Sequence, residues 1–348
     1  MEQLALFSFP EPPPPIEIPY DIGEKPDLTS YDYYIVAFSG GKDSCSALLH
    51  LLESGVDRSR IELFHHDVDG RNPFFDWPIT TSYCEAVAKA FGVPLYMSWR
   101  EGGFLREMLR NGTPTAPVIF EKPDGTLGKA GGDGPIGTRL RYPQVTANLQ
   151  TRYCSAATKI DVGAAALRGQ DRFLGKRTLF ITGERAQESA ARSRYASLER
   201  HRSDTRDGTR RVRHIDHWRP ILQWSEQEVW AIMQRHGLNP HPCYWLGLSR
   251  ASCAFCIFGG ADQWATLKHI WPERFEIVAG YEEQFGVTIK RNMSVRDLAA
   301  KGKPYPSALA SPEIARLALS ETYNVPVLVD PQSWMHPPGA FGEGGGPT

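Results

Sequence analysis

The stretch "YIVAFSGGKDSCSALLHLLESG", residues 34–55, decides the fold. An apolar run leaves through Ser39-Gly40-Gly41 and enters a segment whose apolar residues recur at helical spacing, with Gly55 as its stop. A strand that turns through glycines directly into a helix presents unpaired backbone N–H groups, and the helix dipole favours an anion there. Gly40 and Gly41 let the backbone take unusual dihedrals and come close to a ligand. Lys42 adds a charge for phosphate oxygens, and Ser39 and Ser44 add hydroxyls. This is not a Walker loop, because no glycine stands at the required earlier position and Asp43 follows the lysine.

Working outward, "RIELFHHDVDG" (60–70) and "VPLYMSW" (93–99) read as strands, and "ITTSYCEAVAKAFG" (79–92) as a helix ending at Gly92. Strand–helix alternation predicts an α/β fold with a doubly wound, mainly parallel sheet. Residues 111–137 break the pattern and read as a loop insertion. "KRTLFITGERAQES" (176–189) restores a strand running into a polar turn. "LQWSEQEVWAIMQRHG" (222–237) is a helix, with Ser225 and Glu228 placed as a capping box and Gly237 as its end. The expected organisation is an extended arm over 1–30, containing Pro12 to Pro15, and a nucleotide-binding domain over 31–240. A helical, cysteine-containing part over 241–335 and a disordered tail over 336–348 follow.

The 348 residues carry a net charge of −1, which excludes a protein that holds nucleic acid by bulk charge, so any basic surface must be local. The Arg-rich segment 194–219 is the place for one and reads as solvated and mobile, either tracking a nucleic-acid backbone or serving as a flexible lid. No apolar run reaches membrane-spanning length, and the start lacks a basic region followed by an apolar one, so the expected location is cytoplasmic. Six cysteines are too few and too unevenly spaced for a disulfide scaffold, and in a reducing compartment a cysteine cluster points to metal. Cys154, Cys243, Cys253 and Cys256 are the candidate ligands, for a [4Fe–4S] cluster or a structural zinc ion. Cys45 and Cys84 lie on apolar helix faces and read as small core residues.

Two more polar clusters follow strands. Asp67 and Asp69 alternate around Val68, so both can point into a crevice at the sheet's carboxyl edge. Gly183, Arg185, Glu188, Ser189 and Arg192 form a second cluster, in which the arginine forks suit phosphate or sulfate oxygens.

"SGGKDS" resembles the PP-loop of the ATP pyrophosphatase superfamily, whose members have the adenine nucleotide α-hydrolase-like (HUP-type) fold and split ATP between the α and β phosphates. The Gly-x-Arg-x-x-Glu-Ser-x-x-Arg pattern of 183–192 resembles the phosphoadenosine-phosphosulfate (PAPS) reductase branch. So do "WRPILQWSEQEVW" (218–230) and "HPCYWLGLSRASCAFCIFGG" (241–260), and together the likeness covers residues 33 to 260. It implies ATP and Mg²⁺ at Ser39 to Ser44, with Asp67, Asp69, Gly183, Glu188 and Ser189 bordering the nucleotide. It implies catalytic roles for Lys42, Asp43, Arg185 and Arg192. An Arg-aromatic-Cys segment at 152–154 with a late Cys-x-x-Cys resembles the iron–sulfur members, although Ser155 stands where those have a second cysteine, leaving Cys243 as the fourth ligand. Sulfonucleotide reductases attack sulfur with a late cysteine, and none follows Cys256 in these residues. The combination resembles the ATP pyrophosphatases of DNA phosphorothioation systems (the Dnd and Ssp types). That likeness implies adenylation of a nucleic-acid acceptor, DNA ahead of RNA, with a cysteine desulfurase and other modification subunits as partners. PAPS/APS reduction, tRNA thiolation and a non-catalytic nucleotide-binding subunit are the alternatives.

Overall fold

The structure, a computed structural model, describes residues 25–146 and 148–342. Its centre is β1 (Tyr33–Ala37), flanked by β2 (Ile61–Asp67) and β3 (Leu95–Arg100) on one side. On the other side lie β6 (Arg177–Ile181) and β8 (His214–Trp218). These five strands run parallel. Three antiparallel strands complete the eight-stranded sheet: β4 (Val118–Glu121) and β5 (Leu127–Ala130) beyond β3, and β7 (Leu198–Arg200) beyond β8. The order is β5-β4-β3-β2-β1-β6-β8-β7. The fold is the mainly parallel, doubly wound α/β class expected. Because the chain builds to one side of β1 and then crosses to β6 on the other, the carboxyl ends of β1 and β6 flank the crevice where such sheets take ligands.

Helices cover both faces, as a parallel sheet requires. α1 (Lys42–Glu53), α2 (Thr80–Phe91) and the short α3 (Gly103–Met108) lie in the first half. α4 (Tyr153–Ser155) continues through a π turn, Ala156–Ile160, into α5 (Asp161–Arg168). α6 (Glu226–Arg235) and α7 (Pro242–Trp245) precede a run of helices: α8 (Ala261–Ile270), α9 (Pro272–Phe285), α10 (Val295–Lys301), α11 (Pro306–Ala310) and α12 (Pro312–Ala318). Strand alternation sorts two apolar layers. Ile35, Phe64, Phe180 and Ile215 pack with Val162, Ala166 and Leu167 of α5. Tyr34, Val36 and Leu63 pack on the opposite face with α1, α2 and the C-terminal helices, so the cysteine-containing part shares a core with the sheet. The capping box forms as expected, with Ser225 Oγ accepting from the Glu228 N–H at 3.2 Å and Glu228 Oε2 accepting from the Ser225 N–H at 2.7 Å.

Three expectations are corrected. The 111–137 insertion is not all loop, because Val118–Glu121 and Leu127–Ala130 pair as a hairpin that extends the sheet. Alternating "VIF" before a Pro-Asp-Gly turn carries that hairpin. The Arg-rich segment supplies β7 and the parallel strand β8, and Arg213 and Arg219 are buried. Carbonyls and carboxylates meet them: Arg213 Nη2 donates to Arg168 O at 2.5 Å, and Arg219 donates to Ala196 O at 2.7 Å and pairs with Glu184 and Glu199. Residues 336–342 of the expected tail fold back, the Gly339 N–H donating to Tyr244 O at 2.9 Å and His336 meeting Trp334 and Trp230 edge to face. Of the expected arm and tail, residues 1–24 and 343–348 lie outside the described residues.

Candidate functional site

Two adjoining cavities open at the carboxyl ends of the parallel strands. The first, about 560 Å³, takes Ala37 and Ser39 from β1 and its loop, His66 from β2, and Phe180 and His217 from β6 and β8. The second, about 730 Å³, presents Arg152, Arg192 and Arg250 together with Cys154 and Cys256. Lys159, Glu184, Tyr195, Ser252 and Cys253 line both.

The loop after β1 is built as its sequence demands. Gly40 has φ +73°, and a Cβ there would stand 3.0 Å from Cys84 Sγ and from the Tyr83 ring. The first N–H of α1, at Lys42, donates to Tyr244 Oη at 2.9 Å. Gly183 lets the loop after β6 press on the start of α1, since a Cβ there would lie 2.6 Å from the Asp43 carbonyl carbon and oxygen. Arg185 Nε donates to Asp43 Oδ1 at 2.6 Å, and Arg185 is only 5% exposed, so it braces the two loops. Glu188 accepts from the Arg185 N–H at 3.0 Å and ion-pairs with both Arg192 and Arg250, aiming those two guanidinium groups at the second cavity. Ser189 Oγ accepts from the Arg192 N–H at 3.3 Å, a local turn contact.

Several expected site residues stand elsewhere. Lys42 is 3% exposed and lines neither cavity. Its Nζ donates to Ser249 O at 2.9 Å and pairs with Glu226 at 3.3 Å, over the Trp230 and Tyr244 rings. The acidic first turn of α6 lies against this charge. Asp67 and Asp69 turn into the backbone. Asp67 accepts from the N–H groups of Asp69, Gly70 and Arg71. Asp69 Oδ2 accepts from Phe74, Phe75 and Asp76, each at 2.8 Å. Chain reversal after β2 strands these amides, and a carboxylate is the acceptor that satisfies several at once. The carboxylates that do line the first cavity are those of Asp76, Glu184 and Glu199.

Asp69 Oδ1 is buried without a partner, and burial, reinforced by the Asp76 charge, raises the Asp69 carboxyl to about 7. An acid whose folded value lies above its unfolded one holds its proton in the fold, so the stability it contributes is complete below pH 4 and lost as pH rises through about 7. Asp69→Asn, which keeps an acceptor for the three amides, is expected to flatten the decline of the melting temperature between pH 4 and 7; a scan at several pH values checks this.

Lys159 is the residue the sequence pattern did not single out. Five positions after Cys154, it rides on the π turn, is exposed within the cleft, and lines both cavities where they meet. The only signal was a lysine at a fixed distance from a cysteine, and the wide turn that aims it has no sequence signature of its own.

The cysteines do not assemble as a set of four. Cys154, Cys253 and Cys256 line the second cavity, whereas Cys243 is fully buried under α7 and lines neither cavity, its Sγ 3.9 Å from Arg250 O. Among the described residues no group of three or more His, Cys, Asp or Glu is arranged to hold a metal ion. A four-thiolate cluster or zinc site through Cys243 therefore does not fit this donor set.

Comparison with known proteins agrees with the region holding the site. Residues 141–258 match the phosphoadenosine phosphosulfate reductase domain family. An uncharacterized 37.8 kDa protein of Escherichia phage 186 is 32% identical over 159 residues, 44% of this chain and 43% of that protein. The adenosine 5'-phosphosulfate reductase of Allochromatium vinosum is 27% identical over 138 residues, 34% of this chain and 48% of that one. The chain thus spans less than half the length of the curated relatives it matches. Among solved structures, a PAPS reductase from Candida auris in a phosphate complex superposes with a TM-score of 0.33 at 12% identity, over 64% of this chain and 81% of that one. The FMN adenylyltransferase of Candida glabrata in complex with ATP gives 0.33 at 12% identity, over 64% and 51%. The likeness to the phosphoadenosine phosphosulfate reductase domain thus covers about a third of the chain. No helix among the described residues is long and apolar enough to cross a membrane.

Proposed function

We propose that the protein is an ATP pyrophosphatase that adenylates an acceptor for sulfur incorporation, the acceptor being a nucleic-acid oxygen and DNA phosphorothioate the product class. The observation that carries this reading is the junction of the two cavities: a slot sized for a nucleoside opens, past Lys159, into a compartment walled by Arg152, Arg192 and Arg250. ATP enters as its magnesium complex, with the base in the first cavity and the phosphate chain in the second, among the arginines. An acceptor oxygen forms a bond to the α phosphorus, the bond to the bridging oxygen breaks, and pyrophosphate leaves with the electron pair. No side-chain nucleophile is needed, so Lys159, Arg192 and Arg250 act by fixed charge on the developing negative oxygens. Arg185 and Asp43 hold the loop in place, and Lys42 anchors α1 to α6.

Sulfur would come from a partner of the cysteine desulfurase type, and the thiols of Cys154, Cys253 and Cys256 face the compartment where the activated acceptor would sit. The same thiols favour a second reading, reduction of a sulfonucleotide. One experiment separates them. Incubated without oxygen with ATP and duplex DNA, the protein is expected to release AMP and pyrophosphate, with DNA binding that weakens steeply with salt. Sulfite release from PAPS or APS with thioredoxin, and no AMP from ATP, would replace this reading with the second.

A further inference from the structure

Tyr195 is an aromatic residue that the core leaves out, 41% exposed and lining both cavities. It follows the turn Arg192–Arg194, and its N–H donates to Arg192 O at 3.0 Å. Three residues later Leu198 pairs with Trp218, the last residue of β8, so this turn hangs over the carboxyl edge of the sheet. One face of the Tyr195 ring is taken, because the Arg219 guanidinium lies over it, 4.8 Å from its centre. That guanidinium is fixed. It donates to Ala196 O at 2.7 Å and pairs with Glu184 at 3.2 Å and Glu199 at 2.7 Å. The ring is therefore held from behind, and among the described residues no second ring or cation covers it.

The surroundings are positive. Arg152, Lys159, Arg192 and Arg250 line the second cavity against two acids, Glu184 and Asp262, in a chain whose net charge is −1. Arg200 and Arg202 line the first cavity and are exposed, as is Arg194 beside the ring. A fixed aromatic face among cations is the arrangement that takes a nucleic-acid strand, with phosphates on the cations and a base on the ring. One turn of chain joins the Arg192 guanidinium to the Tyr195 ring, and both line the second cavity, so a phosphate and the base attached to it can be met together. A regular duplex has no free base face to offer, since each base is stacked on the next. Arg192 and Arg250 are half-buried, so a backbone phosphate that reaches them must come down into the compartment.

We infer that Tyr195 is a stacking platform for one unstacked base of the acceptor strand, beside the phosphate that the arginines hold. The acceptor is then single-stranded nucleic acid, or a duplex opened at the phosphate to be modified. The inference rests on the proposed nucleic-acid acceptor and adds the form in which that acceptor is bound.

Titration with a single-stranded DNA oligonucleotide carrying 2-aminopurine, and with the duplex of the same sequence, tests it. The wild-type protein is expected to bind the single strand about tenfold or more tighter than the duplex and to quench the probe's fluorescence. Tyr195→Ala should weaken single-strand binding by about tenfold and abolish the quenching. The slope of its affinity against salt should stay that of wild type, because the phosphate contacts remain. Tyr195→Phe, which keeps the ring, should stay within about twofold of wild type. ATP binding and melting temperature should be alike in all three proteins. Equal affinity for strand and duplex without quenching, or an alanine variant that still quenches, would overturn the platform and leave the acceptor reading standing. So would a phenylalanine variant as weak as the alanine one, or an alanine variant that loses ATP to the same extent as DNA. A wild type with no salt-sensitive binding to either DNA would remove both.

Discussion

Lys159→Met is expected to cut AMP and pyrophosphate formation by on the order of 10²-fold, with little change in melting temperature. The side chain is exposed within the cleft and has no packing role, so its loss removes charge and not core. It stands where the two cavities meet, the point that the α phosphate must pass if the base lies in one and the phosphate chain in the other. A charge preorganised there acts on the oxygens that gain negative charge as pyrophosphate departs, so the effect should fall on kcat more than on KM. Lys159→Arg, which keeps the charge, should recover part of the rate. Turnover within about twofold of wild type in the methionine variant would move the catalytic charge to the arginines. Lys42→Met, by contrast, should act through stability, because that ammonium is committed to Glu226 and Ser249.

The second large effect is expected at Gly183. Its missing Cβ is the space in which the Asp43 carbonyl lies, and both contact atoms belong to backbone that cannot swing away. Gly183→Val should displace the start of α1 from the loop after β6, at a cost of about 1–3 kcal/mol or more. The Arg185–Asp43 pair bridges the same two segments and would be pulled apart with it. Nucleotide binding should fall together with the denaturant midpoint. A variant that keeps both would show that the two loops move independently.

The frame of the fold was legible because its signals are local. Glycine stops at Gly55 and Gly92, alternation in the strands and the Ser225 capping box each depend on a few neighbouring residues. What was misread depends on contacts that arrive from afar. An arginine-dense stretch looks solvated until carbonyls such as Arg168 O and Ala196 O come to meet it, and then it can hold an interior strand. Lys42 belongs to a phosphate motif by spacing, and only the fold brings Glu226, far along the chain, beside it. Asp67 and Asp69 sit at the ligand edge of the sheet, yet the reversal after β2 leaves amides that need them more. The cysteines were counted correctly as thiols but not as neighbours. Cys154, Cys253 and Cys256 face one cavity, while Cys243 is turned into the interior by the short helix that begins at Pro242.

The wide turn Ala156–Ile160 also sets a phase relationship. Upstream of it, Cys154 faces the arginine compartment; downstream, α5 lays Val162, Ala166 and Leu167 on the sheet. A regular helix advances about 100° per residue, so one surplus residue is what lets both ends point correctly at once. Excising a single residue there would tighten the helix and swing the cysteine end about a quarter-turn out of the cleft, with the sheet-facing end still seated. The thiols and the nucleotide slot are thus timed to each other by one surplus residue, like two gears meshed on a single tooth.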